Sequence, residues 1–142
     1  MNNWERMKAG RLYNADSKDL EKYHSFGMET CDKFNRTPLW MKKRKQRLLE
    51  KMIPSAKDGG AAIFAPFYCE YGVNIHFGKG CFVNYKCTFL DCAPITLEDG
   101  VWVGANVTIA TPCHPFLPDE RLPQQYPDGF HDLEYAKPIH IG

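Results

Sequence analysis

At Thr111-Pro112-Cys113-His114-Pro115 a thiol stands beside an imidazole. An imidazole suits taking a proton from a poor nucleophile, because its unperturbed pKa lies near neutral pH. A cysteine nucleophile is the rival reading of this pair. Adjacent side chains in an extended segment point to opposite sides, and Cys113 falls on an inward position of the repeat described below, which argues against it. The chain has six cysteines, and none forms a C-x-x-C pair, so a zinc or thioredoxin-type site is not indicated. Cys69, Cys81, Cys87 and Cys113 all take inward positions, where a free cysteine behaves as a small buried hydrophobe. His76, His114, His131 and His140 are poorly spaced to share a metal ion.

A six-residue rhythm must position these groups. Small or apolar residues recur at Ala65, Tyr71, Phe77, Val83 and Phe89, and four places after each at Cys69, Ile75, Cys81, Cys87 and Ala93. The rhythm slips by two at Ile95-Thr96 and resumes at Leu97, Val103 and Ile109. A helix repeats every 3.6 residues and a strand every two, so neither sustains this period. A solenoid of short strands and tight turns does. The rhythm breaks for a loop at about 112–137, and loops that long usually serve a function. It returns at Pro138-Ile139-His140-Ile141-Gly142.

Residues 1–60 read as a helical segment and 61–142 as the coils. Asp16 or Ser17 caps a helix carrying Leu20, Tyr23, Cys31 and Phe34, with Gly27 weakening the same face. Thr37-Pro38 predicts the start of a second helix carrying Leu39, Trp40, Leu48, Leu49, Met52 and Ile53. The basic run Lys42–Arg47 reads as its solvated face.

The 142 residues carry a net charge of +1, which suits one globular domain and gives no case for nucleic acid as a partner. No apolar stretch approaches the roughly 20 residues that span a bilayer, and the first residues lack a secretion signal's apolar core. A cytoplasmic, non-membrane protein is expected.

The ordered set of motifs resembles the hexapeptide-repeat sugar O-acetyltransferases of the maltose, galactoside and nodulation type. The matching pieces are Met7-Lys8-Ala9-Gly10-Arg11-Leu12-Tyr13, Tyr71-Gly72-Val73-Asn74-Ile75-His76-Phe77-Gly78, Asn84, Leu90-Asp91 with Pro94-Ile95, Cys113-His114-Pro115, and Glu134-Tyr135-Ala136-Lys137-Pro138-Ile139. The resemblance implies a mainly β fold, a left-handed parallel β-helix after an N-terminal helical segment. It implies a homotrimer with active sites between subunits, moving acetyl from acetyl-CoA to a sugar hydroxyl without a metal. By resemblance His114 is the general base and Glu134 holds its second ring nitrogen. Asn84 lies near acceptor and thioester, as donor to the thioester oxygen or as a contact to the sugar. Asp16, Glu70 and Asp91 match acceptor-binding positions. Cys92 stands where the galactoside type has a second sugar-binding aspartate, which counts against galactoside. The Leu-Asp and Pro-Ile pieces, with Glu-Tyr before Lys-Pro, resemble the maltose type more closely, so a maltose- or glucose-like acceptor is expected.

Members continue for several coils past the equivalent of Gly142, and those coils supply most of the grip on coenzyme A. The expectation is therefore a truncated chain that binds acetyl-CoA weakly. The competing readings are an impaired fragment or scaffold, an acetyltransferase for a non-sugar hydroxyl, and the trimeric β-helix carbonic anhydrase.

Overall fold

In a computed structural model covering residues 1–142, three helices precede a coil of short parallel strands. Helix α1 (Asn3–Lys8) is too short to persist unaided and is held by its cap. The Asn2 side chain accepts from the Glu5 N–H at 2.9 Å, and the Glu5 carboxylate accepts from the Asn2 N–H at 3.0 Å. Asp19, in the first turn of α2 (Lys18–Arg36), accepts from the Asn3 N–H at 2.6 Å and ties the two helices together.

Helix α2 runs unbroken through Gly27. A Cβ there would stand 2.2 Å from the Glu70 carbonyl oxygen and 2.8 Å from the Tyr71 Cα. Gly27 costs the helix about 1 kcal/mol in propensity, and in return α2 lies directly on the backbone of the first coil. Ser17 occupies the N-cap position without a side-chain cap bond, and Asp16 is exposed in the turn before it.

Thr37 ends α2 rather than starting the next helix. Its hydroxyl donates to the Lys33 carbonyl at 2.6 Å, and Pro38 brings no N–H to continue the ladder. Helix α3 begins only at Lys42 and runs to Met52. Leu39 and Trp40 therefore lie outside it and are exposed. Lys45 also departs from the solvated face. Its ammonium donates to the Phe34 and Thr37 carbonyls at 2.8 and 3.2 Å, closing the end of α2.

After a single 3-10 turn at Pro54–Ala56 come β1 (Ala61–Ile63), β2 (Phe67–Cys69), β3 (Ile75–Phe77), β4 (Cys81–Val83), β5 (Cys87–Leu90), β6 (Ile95–Leu97), β7 (Trp102–Val103) and β8 (Thr108–Ala110). An excursion follows: β9 (Pro112–Cys113), α4 (Pro118–Arg121), β10 (Gln124–Tyr126), β11 (Gly129–His131) and β12 (Tyr135–Ala136). Strand β13 (Ile139–Ile141) rejoins the coil. Three parallel sheets result, ordered β1-β4-β7, β2-β5-β8 and β3-β6-β13. Consecutive strands step from sheet to sheet, so the chain winds a three-sided parallel β-helix.

Partners lie twenty residues apart, as Ala61 with Cys81, Phe67 with Cys87 and Ile75 with Ile95. Three six-residue units account for eighteen. The other two residues sit in each coil at the corner between the second and third sheets. The slip at Ile95 thus has a counterpart in the first coil, where the inward pair is Phe67 and Cys69. Ala65 is only half-buried, and Tyr71 is buried outside the coil against Met7, Leu20 and Ala136. In the third coil this same corner holds the long excursion, and Ile139 pairs with Ile95 after it. Cys113 lies in the excursion, half-buried and outside the coil core, because the chain has already left the coil after Thr111.

The coil interior packs Phe67 edge-to-face against Phe89, with ring centres 5.3 Å apart, beside Ile75, Ile95, Leu97 and Val83. Each such side chain contributes about 1.5–3 kcal/mol by burial. Cys31, Phe34, Leu49 and Met52 belong to the same core, so α2 and α3 cover the first coil. No helix is long and apolar enough to cross a membrane.

Gly27→Ala should lower the urea-unfolding free energy by about 2–3 kcal/mol, because the added methyl meets backbone. Gly104, where a Cβ would meet nothing within 4 Å and φ is not in the left-handed range, should accept alanine with a change below about 0.5 kcal/mol. Equal effects at the two sites would contradict the close approach of α2.

Candidate active site

Strands β9 and β12 close the base of the excursion as an antiparallel pair, with Tyr135 opposite Cys113. One step further along this register sets Glu134 across from His114. The His114 Nε2 lies 3.7 Å from Glu134 Oε2, within ion-pair range but beyond a hydrogen bond. His114 is half-exposed and Glu134 largely covered.

A third residue grips Glu134 from the other side. Tyr13 and Glu134 exchange both backbone hydrogen bonds, at 2.9 and 3.1 Å, and the Tyr13 hydroxyl donates to Glu134 Oε1. Gly10, with φ +68°, turns the chain from α1 toward this bridge. A Cβ at Gly10 would lie 3.3 Å from the Ala136 carbonyl. Burial pushes the Glu134 carboxyl above its usual range, while Tyr13 and His114 pull it back. Burial raises the Tyr13 phenol far more, with Cys92 and Glu134 adding to it, so it remains a protonated donor. The result is an accessible imidazole beside a carboxylate whose second oxygen is already fixed. Such a carboxylate stabilises an imidazolium as it forms. Tyr13 stood within the N-terminal motif, but nothing in its spacing pointed to Glu134, because the partner lies at the far end of the excursion.

The remaining expected residues are placed unequally. Asp91 is fully buried. Its Oδ1 accepts from the Glu70 and Tyr71 N–H groups at 3.2 and 2.9 Å, and its Oδ2 from the Asn74 N–H at 3.2 Å. The Asn74 amide returns a bond to the Asp91 carbonyl at 2.7 Å. Asp91 therefore holds the first-coil corner together and does not face an acceptor. Burial raises its carboxyl to about 6, against the opposing pull of those N–H groups.

Glu70 is partly exposed at that corner, and its Oε2 accepts from the Cys92 thiol at 2.6 Å. Burial and then Glu70 push the Cys92 thiol up, so it stays neutral. Asp16 is exposed, with its N–H bound to Asn14 Oδ1 at 3.0 Å. Asn84 follows β4 at another corner of the coil, between the first and second sheets. Its Oδ1 accepts from the Tyr85 N–H at 2.8 Å. His114 and Asn84 thus sit on different edges of one chain.

His131 pairs with Asp128 at 3.0 Å and stacks on Tyr126, bracing the β10–β11 hairpin. His140 pairs with Glu98 at 2.7 Å on the coil surface. No group of three or more His, Cys, Asp and Glu side chains is placed to hold a metal ion. A cleft of about 510 Å³ opens on the excursion, lined by Leu12, Pro115, Phe116, Glu120, Tyr126 and Tyr135. Pro115 and Tyr135 are the neighbours in sequence of His114 and Glu134, which do not themselves line it. It is large enough for one or two sugar rings.

Residues 6–57 match the maltose acetyltransferase hexapeptide capping motif. Nodulation protein L of Rhizobium leguminosarum bv. viciae is 33% identical over 97% of this chain and 68% of its own length. The crystal structure of a maltose O-acetyltransferase from Clostridium difficile 630 superposes with a TM-score of 0.85 at 30% identity, covering 97% of this chain and 69% of that one. A galactoside acetyltransferase in complex with coenzyme A superposes with a TM-score of 0.78 at 25% identity, covering 97% and 64%. The chain thus spans about two thirds of the length of these relatives.

The Asp91 proton has a measurable consequence. Its folded pKa lies above the unfolded value near 3.9, so the folded state holds the proton longer. Stability from this group is fully present below about pH 4 and is lost as pH rises through about 6. The Asp91 carboxyl carbon, followed by NMR, should titrate with a midpoint near 6. A midpoint below 4 would show that the N–H groups outweigh burial.

Proposed function

Because the chain belongs to the hexapeptide-repeat O-acetyltransferases of the maltose and galactoside type, we propose that it moves an acetyl group from acetyl-CoA to a sugar hydroxyl, with His114 as general base. The observation carrying this reading is the Tyr13–Glu134–His114 arrangement. One ring nitrogen of His114 faces Glu134, which leaves the other for the acceptor hydroxyl. As the hydroxyl oxygen attacks the thioester carbonyl carbon, its proton passes to His114. The nearby Glu134 carboxylate stabilises the imidazolium. When the carbon–sulfur bond breaks, His114 returns the proton to the departing coenzyme A thiolate. Charge, proton and acetyl group then balance without a metal.

We assign Glu70 and Asp16 as acceptor contacts, with a maltose- or glucose-like sugar as the ligand. Asp91 is left out, since its carboxylate is taken up by the corner. Asn84 is assigned to donor and acceptor contacts across a subunit boundary in a homotrimer of left-handed coils. Two features support that assembly. Asn84 and His114 lie on different edges of one chain, so a complete site needs a second copy. Beside the Asn84 edge, Phe64, Tyr85 and Trp102 expose aromatic surface, as a subunit contact requires. Acetyl-CoA as donor fits action in the cytoplasm.

With acetyl-CoA and maltose or glucose, release of the coenzyme A thiol should accompany a 42-dalton gain on the sugar, roughly the mass of one acetyl replacing hydrogen. His114→Ala should lower kcat by about 10²–10⁴-fold with the melting temperature unchanged. Undiminished turnover in that variant would overturn the assignment of the base.

A further inference from the structure

Three sulfur atoms meet where α2 and α3 press on the first coil. The Cys31 Sγ lies 3.4 Å from the Cys69 Sγ and 3.3 Å from the Met52 Sδ. The Cys69 N–H also donates to the Cys31 Sγ at 3.3 Å. Cys31 comes from α2 and Cys69 from β2, so the two thiols face each other across the seam between helix and coil. The other four cysteines make no comparable contact. Cys81 and Cys87 donate to the carbonyls of Glu98 and Gly104, Cys92 donates to Glu70, and Cys113 donates to Thr111.

The seam is not sealed. A cleft of about 720 Å³ runs along it, with His24, Asp32, Asn35, Glu70 and both Cys31 and Cys69 in its wall. Cys31 and Cys69 are nearly covered, retaining 3% and 6% of their surface. The two donors aimed at the Cys31 sulfur, the Cys69 thiol first, favour its thiolate and hold its pKa below the usual range, while Cys69 is pushed up.

We propose that Cys31 and Cys69 form a peroxide-sensitive pair that closes to a disulfide, fastening helix α2 to the first coil. The Cys31 thiolate attacks one oxygen of hydrogen peroxide. The O–O bond breaks, the second oxygen leaves as water after protonation, and Cys31 becomes a sulfenic acid. The Cys69 sulfur then attacks the Cys31 sulfur, the S–O bond breaks, and the hydroxide departs as water with the Cys69 proton. Two thiols lose two electrons in total, and one peroxide becomes two waters. Closure requires the sulfurs to approach from 3.4 Å to about 2.05 Å. The link would join segments 38 residues apart, and it would sit one residue before Glu70, whose N–H Asp91 holds. Oxidation thereby stiffens the corner on which α2 rests, whatever acceptor the protein uses.

The test treats the purified, reduced protein with one equivalent of hydrogen peroxide, followed by peptide mass spectrometry and thiol counting in denaturant. A peptide linking Cys31 to Cys69 should form, with two of the six thiols lost and regained on adding dithiothreitol. The melting temperature should rise on oxidation by on the order of 10 °C, and Cys69→Ser should abolish that rise. In Cys69→Ser, dimedone should label Cys31; in Cys31→Ser, position 69 should remain unlabelled. Should a serine variant fail to fold, the linked peptide in the unaltered protein decides the matter alone. Oxidation falling first on Cys113 or Cys92, or reaching Cys31 with no 31–69 link, would overturn the proposal.

Discussion

The two-residue surplus at one corner of the coil is the constraint on which the rest of the structure depends. Three six-residue units close a coil only if every corner is equally tight, and here one corner is not. In the first coil it carries Glu70 and Tyr71, in the second Asp91 and Cys92, and in the third the whole excursion. A wider corner exposes N–H groups that the parallel ladders do not use, and a buried N–H without a partner is costly. Asp91 answers that need in the first coil with three accepted bonds. Thr111 answers it in the second, where its hydroxyl donates to the Leu90 carbonyl at 2.7 Å and accepts from the Ala93 N–H at 2.9 Å. The His114–Glu134 pair and the segments that brace it are stacked over this corner. The N-terminal segment packs against it through Met7, Tyr13 and Leu20, and α2 crosses it at Gly27.

The stacking explains how the site gains rigidity on an excursion, where side chains are normally loose. His114 itself has few partners. Its neighbour Glu134 is fixed by two backbone bonds and a phenol from a segment more than a hundred residues away in sequence. The helices thus do two jobs: α2 and α3 cover the first coil, and the α1 end clamps the base of the excursion. A carboxylate held in place at the site of a forming charge needs no reorganisation during the reaction, which is where such groups contribute most.

Much of this was legible in the residues, unevenly. The coil was, because inward side chains must repeat, and Ile75, Phe77, Val83, Phe89 and Leu97 do, although Phe67 is inward where the rhythm set Ala65 and Tyr71. His114 and Glu134 were singled out by the resemblance, and the long break in the rhythm holds both; the structure sets them across from one another. The helix boundary at Thr37 was misread, since a hydroxyl followed by proline is equally a signal to stop; the choice was made by Lys45, whose bonds to Phe34 and Thr37 are tertiary. Gly27 read as a weakness because its partner, the Glu70 backbone, lies in another element. Asp91 read as an acceptor contact because a carboxylate on a turn is usually solvated, and only the corner geometry shows which N–H groups it serves. Tyr13 and the Cys31–Cys69 contact escaped notice for the same reason: both are pairings between distant segments with no local periodicity to mark them.

We infer that Tyr13 works through Glu134 to hold His114 ready as a base. The direct measurement is the pH profile of kcat and of KM for acetyl transfer in Tyr13→Phe beside the unaltered protein, with circular dichroism to follow the fold. In Tyr13→Phe, kcat should fall by about 10-fold or more, as for loss of a hydrogen bond to a charged group, with KM nearly unchanged and the acid limb of the profile displaced. An unaltered kcat and profile in a folded Tyr13→Phe protein would contradict it.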